Sequence, residues 1–173
     1  MFKGEQVYLR LVESSDASTI LLWENDTENW KVSETVVPFD LNSILTLIEQ
    51  AQQIRTYGQL RFMICLNGTN ESIGTIDLFD GNFKHKRSGV GVLIADKSHR
   101  NKGFAKDALL LLVTYAKEIL GLKNLYCTIH SDNELSVKLF ESIGFNFVGA
   151  RKDWYLEKGK WLDELMYQLC LEK

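Results

Sequence analysis

The chain has 173 residues, 45% of them hydrophobic and 25% charged, with a formal net charge of −3. That length and composition suit a single domain over residues 1–173 with a sizeable core, and the mild acidity argues against general nucleic-acid binding. No apolar run is long enough to span a bilayer and no secretory pattern is visible, so the expectation is a cytoplasmic protein with no membrane or nucleic-acid partner.

In chain order, Val7 to Val12 alternates as a first strand. Ser14, Ser15 and Asp16 offer an N-cap for a helix carrying Ile20, Leu21 and Trp23. Residues 24–40 are polar and poorly patterned, which predicts a helix end, an irregular loop and a second helix entry capped by Asp40 or Asn42. That second helix runs through Ile44, Leu47, Ile48 and Ala51, and Gly58 closes the helical part.

Leu60 to Leu66 and Ser72 to Leu78 read as strands joined at Asn67-Gly68. A loop begins at Asp80-Gly81-Asn82, and Ser88 to Ile94 is the next strand. A long amphipathic helix, Phe104 to Leu120, places Phe104, Ala108, Leu111, Leu112, Tyr115 and Ile119 on one face, with Gly121 as its stop. Asn124 to Ile129 is β-rich, and Asp132 or Asn133 caps a short helix, Glu134 to Ser142, ending at Gly144. Phe145 to Ala150, Lys152 to Leu156 and Trp161 to Leu171 close the chain as strands. The order β-α-α-β-β-β-α-β-α-β-β implies an α/β fold: a mixed sheet with helices on both faces and a right-handed βαβ crossing over residues 88–129.

Cys65, Cys127 and Cys170 are widely spaced in apolar surroundings. They read as reduced core thiols with no zinc spacing, and no metal is expected. A nucleophilic Cys127 is the less favoured reading.

The stretch His99-Arg100-Asn101-Lys102-Gly103-Phe104-Ala105 carries the strongest chemical signal. It joins a buried strand to a helix start, where unpaired N–H groups and the helix dipole favour an anion, most naturally a phosphate. Gly103 lets the backbone approach a ligand, Ala105 keeps the first turn uncrowded, and Arg100 and Lys102 add positive charge. Neither the dinucleotide fingerprint nor the P-loop spacing is present. The bland alternative is a solvated helix start.

Arg-x-x-Gly-x-Ala in this setting resembles the pyrophosphate loop of the GNAT acetyltransferases. A second motif stands about thirty residues on, after one helix and one strand: Asn133, Ser136, Leu139, Phe140, Gly144 and Phe145 in the form N-x-x-S-x-x-L-F-x-x-x-G-F. It resembles the element in which an asparagine opens a short helix and Gly-Phe closes it. With both motifs in order, the resemblance covers nearly the whole chain. Tyr8-Leu9-Arg10-Leu11-Val12 with Asp16, and Phe147 to Arg151, Trp154-Tyr155 and Lys158 to Trp161 with Asp163, look like the branch holding ribosomal-protein N-terminal acetyltransferases and spermidine or diamine acetyltransferases.

The resemblance implies direct attack of a neutral amine on acetyl-CoA as co-substrate. Arg100, Asn101, Lys102, Gly103, Phe104 and Ala105 would hold the pyrophosphate, the edge of Val92, Leu93 and Ile94 the pantetheine, and Asn133 the sulfur end. A family backbone N–H on that strand polarises the thioester carbonyl, a contribution of ~3–4 kcal/mol. The amine must lose a proton, and Asp77, Asp80, Glu34 and His130 are the candidate bases, each also readable as an ordinary surface or loop residue. Phe140 occupies the position of a family tyrosine that protonates the thiolate, and it has no proton to give. Ser136, one turn earlier on the same face, is a candidate donor, as are Tyr126 and Tyr155 less specifically.

Glu34 stands where spermidine enzymes carry a substrate-binding acid, and Glu24, Asp26, Glu28 and Asp40 add negative charge nearby. A small-molecule amine, with polyamine slightly ahead, is the expected acceptor. The alternatives are a protein N-terminus, or an acyl-CoA-binding regulatory module with little turnover. A homodimer or larger homo-oligomer fits the family, with Trp154, Tyr155, Trp161 and Tyr167 read either as interface or as core.

Overall fold

The computed structural model of the chain describes residues 2–30 and 35–171. The strands are β1 (Phe2–Lys3), β2 (Val7–Leu11), β3 (Leu60–Leu66), β4 (Ser72–Asn82), β5 (Arg87–Ile94), β6 (Asn124–His130), β7 (Asn146–Glu157) and β8 (Lys160–Cys170). They form one eight-stranded sheet in the order β1-β2-β3-β4-β5-β6-β8-β7. The helices are α1 (Ala17–Glu24), α2 (Leu41–Gln50), α3 (Ile54–Tyr57), α4 (Phe104–Glu118) and α5 (Glu134–Ile143). The α/β architecture expected from the sequence is therefore present, with the two-residue β1 and the one-turn α3 added. Both are too short to leave a periodic signal.

Alternation along the strands sorts side chains onto two cores. Val7, Leu9, Phe62 and Ile64 pack in one cluster with Ala108, Leu109 and Leu112 of α4 and Phe140 of α5. Tyr8, Met63 and Cys65 turn the other way, against Ala17 and Ile20 of α1 and Ile44 and Ile48 of α2. Each fully buried leucine or isoleucine of this kind contributes roughly 2 kcal/mol. The Asp40 carboxylate caps α2, accepting from the Ser43 N–H at 2.7 Å. On α4 the buried stripe is Ala108, Leu109, Leu112 and Ala116, flanked by partly buried Phe104, Leu111 and Tyr115. Ile119 instead lies 61% exposed, because the helix ends at Glu118 before that position can turn inward.

The sequence placed a loop at Asp80-Gly81-Asn82, but β4 continues through it, with a register shift between Phe79 and Asn82 and Asp80 at φ +49°. Such a bulge hides strand behind turn-like residues. The expected break before Lys152 is likewise an irregularity within β7, where Asp153 has φ +49°. Cys65 and Cys127 are buried, as read from their surroundings, but Cys170 is exposed at the outer face of β8. Of the C-terminal aromatics, Tyr167 is core, whereas Trp154 and Trp161 are more than half exposed. Among the described residues no helix is long and apolar enough to cross a membrane.

One relation in the sheet positions everything that follows. β5 and β6 run parallel, yet they pair only at Arg87–Asn124, Ser88–Leu125 and Gly89–Tyr126. On its other side β5 stays paired with β4 as far as Ile94. From Val90 onward, the edge of β5 that faces β6 has no strand partner among the described residues.

Candidate functional site

A cleft of about 320 Å³ opens where β5 and β6 part. Val92, Leu93 and Ile94 of β5 line one wall, and Asn133, Leu135, Ser136 and Leu139 of α5 line the other. Asn101, Gly103, Phe104, Ala105 and Lys106 close one end.

The loop between β5 and α4 is tightly built. Asp96 accepts from the Ser98 N–H at 2.8 Å, which starts a 3-10 turn over Lys97–His99. That backbone hydrogen bond holds the Asp96 carboxyl below the ordinary aspartate range. Asn101 and Gly103 then adopt left-handed backbone, φ +61° and +88°. Left-handed residues of this kind turn successive N–H groups toward one side, which makes an anion-binding concavity. Gly103 precedes α4 and gives no side-chain cap. The first-turn N–H groups of the helix therefore remain for a ligand, and the positive end of its dipole adds to them. A Cβ on Gly103 would also meet the Gln6 Nε2 at 3.1 Å. Asp107, the acid of that first turn, accepts instead from the backbone N–H groups of Gln6 at 2.8 Å and Val7 at 2.9 Å. Its charge is thus committed to anchoring β2.

The structure brings Val92, Leu93, Ile94, Arg100, Asn101, Gly103, Phe104, Ala105, Asn133 and Ser136 together on this one cleft. Lys102 is exposed and lies outside the lining. Arg100 behaves differently from the free cation read in the sequence. Its guanidinium turns inward, donating from Nε to the Ile94 carbonyl at 2.9 Å, and from Nη2 to the Ala95 carbonyl at 3.2 Å and the Asn29 Oδ1 at 3.0 Å. Glu28 and Asn29 also line the cleft. The sequence offers Glu28 as one of several acids in the 24–40 segment, but no pattern marks Asn29, whose place there depends on a long-range contact to the loop.

Asn133 caps α5 by accepting from the Ser136 N–H at 3.2 Å. Phe140 is 4% exposed and packs edge-to-face on Phe145, with centroids 5.1 Å apart. It is absent from the cleft lining.

The candidate bases are spread out. Asp77 is gripped by Arg61, which donates from Nε to Oδ1 at 2.5 Å and from Nη2 to Oδ2 at 3.1 Å. Asp80 accepts from the Tyr126 hydroxyl at 3.0 Å beside a second hollow of about 950 Å³. Burial, with Asp80 as the acceptor, pushes the Tyr126 hydroxyl up to about 12, so it stays protonated at neutral pH. His130 stacks on Tyr155 at 3.8 Å, and Tyr155 donates to the buried Glu164 at 2.5 Å. The His130 carbonyl accepts from the Asn133 N–H at 2.9 Å, but the His130 side chain is not part of the cleft lining. Glu34 lies outside the described residues. Cys127 is raised to about 12 by burial, which removes it as a nucleophile.

The described acids of the 24–40 segment have structural partners. Glu24 pairs with Arg61 at 2.9 Å, Glu28 with Lys97, and Asp26 accepts from the Glu28 N–H at 3.0 Å.

An acetyltransferase (GNAT) domain model matches residues 6–146 of the chain. The uncharacterized N-acetyltransferase p20 of Bacillus licheniformis is 29% identical over 167 residues, 95% of this chain and 93% of that one. Spermidine N(1)-acetyltransferase of Escherichia coli (strain K12) is 23% identical over 120 residues, 69% of this chain and 62% of that one. Among solved structures, the spermidine N-acetyltransferase from Vibrio cholerae in complex with CoA and spermine matches with a TM-score of 0.86. The match covers 96% of both chains at 22% identity, a likeness of fold.

Proposed function

The chain belongs to the GNAT acetyltransferase family, and we propose that it moves the acetyl group of acetyl-CoA to a primary amine of a small molecule, with a polyamine favoured. The observation that carries this reading is the single cleft shared by the unpaired edge of β5 and the uncapped start of α4. A pyrophosphate suits the N–H groups and dipole at Gly103–Ala105, with Asn101 beside it. A pantetheine arm carries amides, and the Val92–Ile94 edge offers it strand-like partners. Gly103 lines the cleft with left-handed backbone and no side chain, which lets a ligand approach the main chain.

In the reaction, the amine nitrogen forms a bond to the acetyl carbon and the carbon–sulfur bond breaks. One proton leaves the nitrogen and one reaches the sulfur. At pH 7.4 only about one in a thousand lysine-like amines is neutral, given a pKa of ~10.4, so a base raises the useful fraction. Among the described candidate bases, Asp77 has both oxygens held by Arg61 and Asp80 accepts from the Tyr126 hydroxyl, so His130, whose backbone is tied to Asn133 of the cleft, is the base this reading favours. Ser136 lines the cleft and can hydrogen-bond the departing sulfur, a role Phe140 cannot take. A thiol pKa of ~8.5 makes that departure tolerable with modest help.

Support for a polyamine comes from the spermidine acetyltransferases among the relatives. Glu28 is an acid of the 24–40 segment that lines the cleft. The test is thiol release from acetyl-CoA, followed colorimetrically with spermidine, spermine, small diamines, amino acids and short N-terminal peptides. Release with polyamines is expected. Release with peptides alone would replace the polyamine reading by N-terminal acetylation.

A further inference from the structure

We propose that the Arg100–Asn29 contact is a coupling device: it joins the acetyl-CoA half of the cleft to the segment after α1, so that filling the first half orders the second. This rests on the reading of the β5–α4 loop as the acetyl-CoA site. Arg100 spans two structures at once. Its Nε and Nη2 hold the carbonyls of Ile94 and Ala95, which fix the end of β5, and Nη2 also reaches the Asn29 Oδ1. Asn29 is only 2% exposed and is itself oriented, donating from Nδ2 to the Trp23 carbonyl at 3.0 Å and from its backbone N–H to the Asp26 carbonyl at 2.9 Å.

The segment that Asn29 belongs to is clasped at its far end as well. Asn25 donates from Nδ2 to the Phe39 carbonyl at 2.9 Å and accepts from the Phe39 N–H at 2.8 Å, which brings the two ends of the α1–α2 connection together. Lys97, in the turn before Arg100, pairs with Glu28 as a second tie, exposed and therefore weak. Glu28 and Asn29 line the same cleft as Asn101 and Gly103. A molecule seated there touches the loop and the connection together, and the half-buried guanidinium passes any shift in one to the other. Arg100 and Asn29 are positioning residues in this scheme. Linkage makes the effect reciprocal: ordering the connection must raise affinity for the ligand in the loop by the same factor.

The experiment is amide hydrogen exchange over residues 25–30 and 96–106, with and without CoA, on the full chain. In the wild type, CoA is expected to slow exchange in both segments. In Asn29→Ala, protection over 96–106 is retained and the CoA-induced protection over 25–30 is lost. Asn29→Asp keeps an acceptor for Arg100 at the same place, so it should restore the protection, which a purely structural role would not explain. If Asn29→Ala does not fold, Arg100→Lys is read in the same way, since an ammonium cannot span all three acceptors. CoA protection confined to 96–106 in the wild type would overturn the coupling while leaving the cofactor site standing. No protection in either segment would remove both the coupling and the cofactor reading beneath it.

Discussion

Arg61 holds Asp77 through both carboxylate oxygens, at 2.5 and 3.1 Å, and extends its remaining arm to Glu24 at 2.9 Å. The three side chains are 11%, 16% and 10% exposed, so α1, β3 and β4 are tied by a nearly buried ion network. Desolvation works against the Arg61 charge, yet Asp77 and Glu24 keep its pKa above the ordinary arginine value. Removing one partner leaves the others uncompensated. Asp77→Ala should therefore lower stability by roughly 3–5 kcal/mol, read from a denaturant titration. Turnover per folded molecule should fall less than about tenfold. A folded variant that loses more than about a hundredfold in kcat would instead make Asp77 the base.

Gly103 answers to a different physical demand. Its φ of +88° strains any side chain placed there, and a Cβ would also nudge the flexible Gln6 amide, 3.1 Å away. Gly103→Ala should cost about 1–2 kcal/mol in stability through backbone strain. Gly103→Glu adds bulk and negative charge at the phosphate end, and it should abolish the rise in melting temperature that acetyl-CoA gives the wild type. An unchanged rise, in a variant with native circular dichroism, would remove the loop from the binding site.

Ser136 and Phe140 lie four positions apart on α5 and have opposite surroundings. Ser136 borders the cleft, whereas Phe140 is buried against Phe145. Ser136→Ala should lower kcat about tenfold or more at pH 7, with the affinity for CoA unchanged. The defect should shrink as pH rises past ~8.5, where a thiolate leaves without needing a proton. A variant with wild-type kcat at pH 7 would end the case for Ser136. Phe140→Tyr should not raise kcat, because its new hydroxyl would sit in the core, where an unsatisfied group costs about 1–3 kcal/mol.

How far the sequence could be read follows from the range of the forces involved. The α4 start and the α5 cap were legible because they rest on residues a few positions apart: Gly103 before Phe104, and Asn133 before Ser136. The β4 and β7 bulges were hidden because Asp80 and Asp153 look like turn residues, and only the partner strand shows that pairing continues. The role of Arg100 was out of reach for the same reason. Its Asn29 partner is 71 positions away, and nothing local distinguishes an arginine that meets solvent from one that meets two carbonyls and a buried amide. The acidic segment was legible only as charge: Glu24, Asp26, Glu28 and Asp40 read alike in the sequence, whereas each has its own structural partner and Glu28 alone of these four lines the cleft.

The Arg10–Asp16 pair fixes how the fold should respond to acid. Arg10 donates to both Asp16 oxygens at 2.6 and 2.7 Å, and the Glu13 N–H donates to Oδ2 at 2.9 Å. Burial alone would raise the Asp16 carboxyl; the hydrogen bonds from Arg10 and Glu13, and the Arg10 charge, outweigh it and hold the pKa below the ordinary aspartate value. A carboxyl depressed in the folded state binds its proton more tightly when unfolded. Its contribution is therefore complete above the unfolded value and disappears as pH falls through the lower folded one. Arg10 is 28% exposed on its side chain, so screening reduces the pair below a fully buried one, and Asp16→Asn should cost roughly 1–3 kcal/mol at pH 7. Measured by urea unfolding from pH 7 down to pH 2.5, the gap between wild type and Asp16→Asn should stay constant to about pH 5 and then narrow, because the wild-type aspartate also becomes neutral. A gap that stays the same width at pH 2.5 would assign the loss to side-chain geometry at the start of α1, and not to the charge of Asp16.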